Sequence, residues 1–294
     1  MLCVIGDVVQ DIVVWQEEEI REATDTKSTI HVTRGGSAAN VAAFAGPRTD
    51  TRFIGCVGDD LAGIALTRDL ESRHVDVKMQ VKGSTGTIVV QINKNGERNM
   101  FPSRGASGML EAVDPTWLTG VDLLHITAYS LEVNPTRESV IAAAERVHQN
   151  GGKVSFDVSS LFTLNTLGED LFLSLMRRIA PDYISANQDE SRALKLASGD
   201  DPGANLSSFP NTVLLSRNGA EATRVFRSGV FDGAVAVQPA ELIRDLTGAG
   251  DAFNGGFLAS IDNGETNLLV AVEKAHQLAR RVLACPGASE PAID

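Results

Sequence analysis

The segment that most constrains this chain is a glycine-rich turn near its end, which runs directly into an apolar stretch of helical character. The turn reads Asp245-Leu246-Thr247-Gly248-Ala249-Gly250-Asp251, and the apolar stretch is Ala252–Ala259. Glycines allow a sharp turn and let a bulky ligand approach the main chain. The first amides of a helix have no intrahelical acceptor and carry the positive end of the helix dipole. The turn and the helix start together predict an anion-binding cradle.

Asp251 lies at the rim of this cradle, where a carboxylate would repel a bound phosphate. The residue makes chemical sense if it accepts a proton from a hydroxyl while the neighbouring amides stabilise a transferring phosphoryl group. Alternatively, Asp251 is an N-cap that follows a glycine-rich loop. This segment alone leaves both interpretations open.

A second glycine pair opens an alanine-rich helical segment early in the chain, Arg34-Gly35-Gly36-Ser37-Ala38-Ala39-Asn40. The early Gly-Gly-x-x-x-Asn and the late Asp-x-x-Gly-Ala-Gly-Asp resemble the two signatures of the ribokinase-like (PfkB) carbohydrate kinase family. Further segments are similar to the family, and together they cover nearly the whole chain: Gly6–Asp11, Phe53–Asp60, Asn187–Glu190 and Arg217–Gly219. The resemblance implies an ATP-dependent transfer of a phosphoryl group to a hydroxyl of a small sugar or sugar-like acceptor.

Strand-like apolar runs alternate with amphipathic segments along most of the chain. Examples are Leu2–Ile5 before Val41–Ala45, and Leu123–Thr127 before Glu138–His148. This βα alternation predicts an α/β fold with a predominantly parallel sheet and helices on both faces. We therefore expect a ribokinase-like three-layer α/β/α architecture. Since no repeat or linker-like run interrupts the sequence, residues 1–294 are expected to form a single domain.

Two stretches show strand-like alternation outside that pattern. They are Ile12–Trp15 with Ile30–Val32, and Gly86–Asn93 with Arg98–Phe101 around the turn Asn95-Gly96. Both predict hairpins. The family resemblance implies that they form a small β-sheet lid, inserted from about residues 12–34 and 85–103, that covers the sugar and mediates a homodimer. An ordinary edge hairpin is the alternative.

The resemblance also implies roles for individual residues. Asp251 would be the catalytic base, with Gly248, Ala249 and Gly250 as the anion hole. The acceptor-binding residues would be Asp11, Gly35, Gly36, Asn40 and Arg104. The ATP-binding residues would be Asn187, Arg217, Gly219 and His276, with Glu190 acting indirectly on Mg²⁺ and Asp245 placing a monovalent cation such as K⁺.

Several of these residues also have purely local interpretations. Asp11 could cap a turn, and Asn40 could satisfy nearby backbone groups. Asn187 with Glu190 could form a helix-start capping box. Asp245 could be a surface turn residue and Arg104 a solvated loop charge.

Composition excludes some classes of protein. The net charge is −12, from 26 basic and 38 acidic residues, which argues against a nucleic-acid partner because phosphate-backbone binding depends on clustered Lys and Arg. No apolar run approaches the roughly 18–20 residues of a membrane span, so neither a signal peptide nor a membrane partner is expected. Cys3, Cys56 and Cys285 show no metal-ligand spacing, which favours reduced thiols and a cytoplasmic location.

Departures from the family pattern leave the acceptor open. Asp157-Val158-Ser159-Ser160 lacks the arginine of the family's Asp-x-Asn-x-Arg segment, and Ser37 stands where ribokinases have lysine. A nucleoside kinase, a vitamin kinase of the pyridoxal type and a non-catalytic sugar or nucleotide sensor are the alternatives. A Rossmann-type oxidoreductase is disfavoured, because no Gly-x-Gly-x-x-Gly follows the first strand.

Overall fold

The structure, a computed structural model, describes residues 1–95 and 97–291. Its strands are, in chain order, β1 Leu2–Ile5, β2 Val9–Gln16, β3 Ser28–Gly35, β4 Thr51–Val57, β5 Val75–Val81, β6 Gly86–Ile92, β7 Arg98–Ser103, β8 Leu123–Thr127, β9 Lys153–Asp157, β10 Tyr183–Asn187, β11 Ala197–Ser198, β12 Asp201–Pro202, β13 Val213–Asn218, β14 Glu221–Arg227 and β15 Val230–Val235. Its α-helices are α1 Ser37–Ala45, α2 Leu61–Ser72, α3 Thr136–Gln149, α4 Leu161–Leu167, α5 Glu169–Ile179, α6 Gln188–Ala193, α7 Ala249–Asp262 and α8 Leu268–Leu283.

Nine strands form the main sheet, in the order β15-β14-β13-β10-β9-β8-β1-β4-β5. The pairs from β13 to β5 are parallel, and the β13–β14 and β14–β15 pairs at one edge are antiparallel. The predominantly parallel sheet is therefore confirmed. A two-stranded ribbon of β11 and β12 lies apart from it.

Helices cover both faces of the main sheet, as the short strand β1 shows. Cys3 and Ile5 belong to one apolar core, which they share with residues of α3 and α5. Leu2 and Val4 belong to a second core, which they share with residues of α1, α2, α7 and α8. Because successive side chains of a strand point to opposite faces, a fully apolar strand of this kind is buried between two helical layers.

A separate four-stranded sheet has the order β3-β2-β6-β7. We call it the small sheet. Its strands contain all four segments in which hairpin-like alternation was predicted. Asp11 lies inside β2 of this sheet, whereas β1 ends at Ile5. Asp11 therefore does not cap a turn. Gly96, half of the predicted Asn95-Gly96 turn, lies outside the described residues.

The small sheet has two different faces. Register and alternation place Ile12, Val14, Val32, Val89 and Phe101 together on one face, which we call the outer face. Val9, Ile88, Val90 and Ile92 lie on the opposite, inward face and form a buried cluster. The outer face is exposed in part, with Val32 at 61% and Phe101 at 58% exposure.

The carboxyl ends of the parallel strands open toward the same edge of the main sheet. Thr127, Asp157, Asn187 and Arg217 lie at the ends of β8, β9, β10 and β13. Ligands of open α/β sheets bind beyond this edge. Among the described residues, no helix has the length and apolar character needed to cross a membrane.

Candidate active site

The predicted anion cradle forms at the start of α7. Gly248 is the N-cap and adopts a left-handed conformation, with φ of 79°, which glycine tolerates without strain. The helix begins at Ala249, three residues earlier than the apolar pattern indicated. Asp251 therefore lies in the first turn and not at the cap, so the N-cap interpretation of Asp251 is wrong.

Asp251 is held by two side chains from the start of α1. Its Oδ1 accepts a hydrogen bond from Ser37 Oγ at 2.6 Å, and its Oδ2 accepts one from Asn40 Nδ2 at 2.9 Å. Asn40 is oriented in turn by Arg34, whose Nε donates to Asn40 Oδ1 at 3.1 Å. Asn40 thus binds side chains, whereas the local alternative placed it against the backbone. The two glycine motifs meet at this carboxylate although more than 200 residues of sequence separate them.

The protein environment raises the pKa of Asp251 to about 7. Burial is the largest cause, and the charges of Asp157 and Asp7 add to it, while the hydrogen bonds from Ser37 and Asn40 act in the opposite direction. A carboxyl group with a pKa near neutrality is matched to proton transfer at the pH of most cells. Perturbed groups of this kind, lying in a cleft, mark candidate functional sites.

Asp7 fixes the start of α1 and was not identified from the sequence. Its carboxylate accepts hydrogen bonds from the amides of Ser37 and Ala38, at 2.9 and 3.1 Å, and from Thr127 Oγ1 at 3.0 Å. Gly36 precedes the helix with φ of 93°, and a side chain there would collide with the Asp7 carbonyl. An acidic residue directly after the first strand, in Gly6-Asp7, was the available signal.

Asp11 of the small sheet faces the same cleft. Its Oδ1 is buried and has no hydrogen-bond partner among the described residues. Burial, followed by the charge of Asp7, raises its pKa to about 6. Gly35 packs directly on this carboxylate and leaves no room for a larger side chain. A buried acceptor without a partner is costly unless a ligand hydroxyl completes it.

Arg104 lies at the cleft with defined partners. Its Nη2 donates to Glu132 Oε1 at 3.1 Å, and its guanidinium stacks 4.7 Å from the ring centre of Tyr129. The solvated-loop interpretation of Arg104 is therefore wrong. Arg104 and Asp7 both line a small cavity in the cleft.

Arg217 crosses the anion cradle from the end of β13. Its Nη2 donates to Asp157 Oδ1 at 2.9 Å, and its guanidinium lies 5.7 Å from the ring centre of Phe253. A methyl group built on Gly250 would lie 2.6 Å from Arg217 Nη1, so the guanidinium rests on the main chain of the cradle. Its buried Nε has no partner among the described residues. The arginine that is missing from the Asp157 segment therefore has a counterpart that reaches Asp157 from another strand.

Asn187 and Glu190 form the capping box that the local interpretation described. Asn187 Oδ1 accepts from the Glu190 amide at 2.9 Å, and Glu190 Oε2 accepts from the Asn187 amide at 2.7 Å. Burial, and then the charge of Asp157, raises the pKa of Glu190 to about 7. The carboxyl groups of Glu190 and Asp157 thus lie close together beside the cradle, with Arg217 paired to Asp157.

His276 and Gly219 lie farther along the same side of the molecule. His276 Nε2 lies 2.8 Å from Thr223 Oγ1, and the residue lines a groove of about 400 Å³ that runs between the segment after β15 and α8. Gly219 forms the turn between β13 and β14 with φ of 57°.

Asp245, expected beside a monovalent cation, is 8% exposed and accepts four hydrogen bonds. The donors are the Thr247 amide and hydroxyl at 2.9 and 2.8 Å, the Gly287 amide at 2.9 Å, and Arg98 Nη2 at 2.6 Å. Burial alone would raise its pKa, but these hydrogen bonds outweigh burial and lower the pKa to about 2. Asp245 is therefore not the surface turn residue of the local interpretation. The monovalent cation stays a prediction. Among the described residues, no group of three or more His, Cys, Asp or Glu side chains could hold a metal ion by itself.

Comparisons with known proteins identify the family of the chain. The model of the pfkB family of carbohydrate kinases matches residues 1–294. The fructokinase of Klebsiella pneumoniae is 32% identical over 272 residues, which cover 88% of this chain and 83% of that protein. The adenosine kinase of Dictyostelium discoideum is 27% identical over 264 residues, covering 82% and 75%. A structure described as ribokinase II of Escherichia coli, solved with ATP and Mg²⁺, superposes with a TM-score of 0.83 at 22% identity and covers 98% of this chain and 94% of that one.

The chain therefore belongs to the pfkB family of carbohydrate kinases. The predicted family, the ribokinase-like α/β fold with its small separate sheet, and the enzyme class are confirmed. Phosphoryl transfer from ATP to a sugar-like acceptor is the activity of this family.

Proposed function

We propose that this protein transfers the γ-phosphoryl group of ATP to a hydroxyl of a small sugar, with D-fructose as the first acceptor to test. The observation that carries the proposal is the Asp251 carboxylate, with its pKa near 7, held by Ser37 and Asn40 directly beside the start of α7. The 32% identity to a fructokinase supports the choice of acceptor.

In the proposed reaction, Asp251 accepts the proton of the acceptor hydroxyl as its oxygen attacks the γ-phosphorus. The new P–O bond forms while the bond to the ADP oxygen breaks, and negative charge develops on the phosphoryl oxygens. The amides of Gly248, Ala249 and Gly250 would stabilise this charge at the positive end of α7. Arg217, resting on Gly250, would bring its guanidinium to the same place, where it also pairs with Asp157.

The nucleotide would extend from the cradle toward the groove that His276 lines. Arg217 and Asn187 lie at neighbouring strand ends along this path, and Gly219 opens the next turn. Mg²⁺ bound with ATP supplies neutralising charge to the phosphates. It usually keeps several water ligands, so the carboxylates of Glu190 and Asp157 would hold it through water. The E. coli structure with ATP and Mg²⁺ supports this pairing of nucleotide and metal.

The acceptor would lie between Asp11 and Asp251. The unpartnered Asp11 Oδ1 accepts one of its hydroxyls, and Gly35 and Gly36 let the sugar approach the main chain. Asn40 and Arg104 border the same space. The small sheet acts as the lid that shields the reaction from water, as lids in other phosphoryl-transfer enzymes do.

Release of ADP in the presence of D-fructose, D-ribose, adenosine or pyridoxal tests the proposal. We expect turnover with D-fructose to exceed turnover with adenosine and pyridoxal. A preference for adenosine would favour nucleoside kinase activity, which the 27% identity to an adenosine kinase supports as the second candidate. Binding of a sugar without turnover of any acceptor would instead indicate a sensor.

The proposal includes a homodimer formed through the outer face of the small sheet. The exposed apolar side chains of that face, Ile30, Val32 and Phe101 among them, would be covered by a second copy of the chain. A cytoplasmic location suits the three free thiols of Cys3, Cys56 and Cys285.

A further inference from the structure

Arg98 links the small sheet to the loop that leads into the anion cradle. It is the first residue of β7, and its side chain contacts Asp245 and Thr247, which lie 147 and 149 positions farther along the chain. Nη2 donates to Asp245 Oδ1 at 2.6 Å, and Nη1 donates to Thr247 Oγ1 at 3.0 Å. Among the described residues, this is the only side-chain hydrogen bonding between the small sheet and residues 245–251.

The carboxylate that receives Arg98 organises the entry to the cradle. Asp245 binds the Thr247 amide on one side and the Gly287 amide on the other. The turn that contains Gly287 continues to Ala288, which packs so closely on Gly248 that a side chain at Gly248 would collide with it. The position of Asp245 therefore determines the position of the first cradle residue.

Charge gives the contact a second effect. The Asp245 carboxylate lies only three residues before Gly248. An uncompensated carboxylate there would repel the phosphoryl group that the cradle binds. The guanidinium of Arg98 compensates that charge from the small sheet.

The small sheet also carries the acceptor-binding carboxylate on the same face. Asp11 pairs in register with Ile88, and Ile88 pairs with Pro102. Since alternate residues of β7 share a face, Pro102 and Arg98 both lie on the inward side, together with Asp11. One sheet thus contacts the acceptor through Asp11 and the phosphoryl site through Arg98.

We propose that Arg98 is a positioning residue that couples acceptor binding to nucleotide binding. When an acceptor binds Asp11, the small sheet takes a fixed position over the cleft. Arg98 then binds Asp245 and Thr247 and holds the cradle in the position that binds the γ-phosphoryl group. Arg98 touches neither substrate and acts through Asp245. This inference rests on the proposed function.

The experiment measures the dissociation constant of Mg²⁺ with the non-hydrolysable ATP analogue AMP-PCP, with and without saturating D-fructose. Coupling between two sites typically changes affinity about 5- to 150-fold. We expect D-fructose to tighten analogue binding at least fivefold in the wild-type protein and less than twofold in Arg98→Met. Arg98→Lys keeps the positive charge but cannot make both hydrogen bonds of the guanidinium, so we expect D-fructose to tighten analogue binding by an intermediate factor.

Arg21→Met is the matched control. Arg21 lies between β2 and β3, pairs locally with Glu18 at 2.6 Å, and has a side chain that is 61% exposed. We expect wild-type coupling in this variant. Arg98 itself is 39% exposed, so its replacement leaves the fold intact, which thermal unfolding checks.

Two failures are distinguishable. Suppose that D-fructose is turned over but coupling is unchanged in Arg98→Met, or is absent in the wild-type protein. Either result would overturn the role of Arg98 and leave the proposed function standing. Absence of turnover with every acceptor would overturn the proposed function itself.

Discussion

The start of α7 and the small sheet face the same cleft but differ in how completely their polar groups are paired. At α7, both oxygens of Asp251 accept hydrogen bonds from α1, and Asp245 accepts four. In the small sheet, Asp11 carries a buried oxygen without a partner among the described residues, and the outer face exposes apolar side chains. Groups that are held in place before the substrate arrives suit charge stabilisation, whereas an unpaired acceptor suits recognition of a ligand. In the proposed function, the groups of the chemical step are therefore paired before the substrate arrives, whereas the acceptor-binding carboxylate would be paired only by the ligand.

The largest effect on catalysis is expected from Asp251, at the start of α7. Asp251→Asn keeps the shape of the side chain and removes the proton acceptor. Loss of a general base typically lowers kcat on the order of 10²–10⁴-fold, while the affinity for AMP-PCP should change little. Steady-state kinetics and analogue titration measure the two quantities. Turnover within a few-fold of wild type would remove Asp251 from the role of base.

The second effect belongs to the small sheet. Asp11→Ala removes an acceptor that meets the sugar, so the KM for D-fructose should rise about ten- to a hundredfold, the cost of one charge-assisted hydrogen bond. The KM for ATP should stay within about twofold, since Asp11 lies on the acceptor side of the cleft. If both constants rose together, Asp11 would be structural and the acceptor pocket misplaced.

A smaller effect is expected when the hydrogen bond from Ser37 to Asp251 is removed. The hydrogen bond from Ser37 lowers the pKa of Asp251 against the larger effect of burial, so Ser37→Ala raises that pKa above its value of about 7. Only the ionised carboxylate accepts a proton, so kcat/KM rises with pH through this pKa, and the variant's rise occurs at higher pH. Near pH 7 the loss should be about two- to tenfold and should vanish at alkaline pH.

A pH–rate profile of kcat/KM for Ser37→Ala and wild type checks this prediction. Ser207→Ala is a suitable control, because Ser207 Oγ donates to the Ala204 carbonyl at 2.8 Å and contacts neither Asp251 nor Asp157. An equal loss for Ser37→Ala at all pH values would contradict an action through the Asp251 pKa.

The smallest catalytic effect is expected on the outer face of the small sheet. Val32→Glu places a charge in the apolar surface proposed to bind a second copy, so the protein should become monomeric while kcat stays within about threefold. Light scattering coupled to size exclusion measures the mass. Leu61→Glu, at a residue that is 85% exposed on α2, should leave the mass unchanged. A wild-type monomer would contradict the homodimer.

Local chemistry made much of the fold predictable. The alternation of apolar strands and amphipathic segments predicted the parallel sheet because the hydrophobic pattern of each strand or helix is complete within a single short stretch of sequence. The antiparallel edge strands β14 and β15, in contrast, were not identified. One helix boundary shifted where a cap decided it, since Gly248 starts α7 three residues early. The start of α6 at Gln188 agrees with the capping box of Asn187 and Glu190.

A glycine turn, the helix start behind it and the acid at its rim are neighbours along the chain, so they predicted an anion site locally. Through the resemblance that this turn and the early glycine motif carry together, the sequence by itself determined the class of this protein. It could not determine which side chains meet that acid. Ser37 and Asn40 reach Asp251 across more than 200 residues, Arg217 reaches Asp157 across 60, and Arg98 reaches Asp245 across 147. No local period relates residues so far apart. Only the packing of α1 beside α7, and of the small sheet over the carboxyl edge of the main sheet, brings these charges within hydrogen-bonding distance.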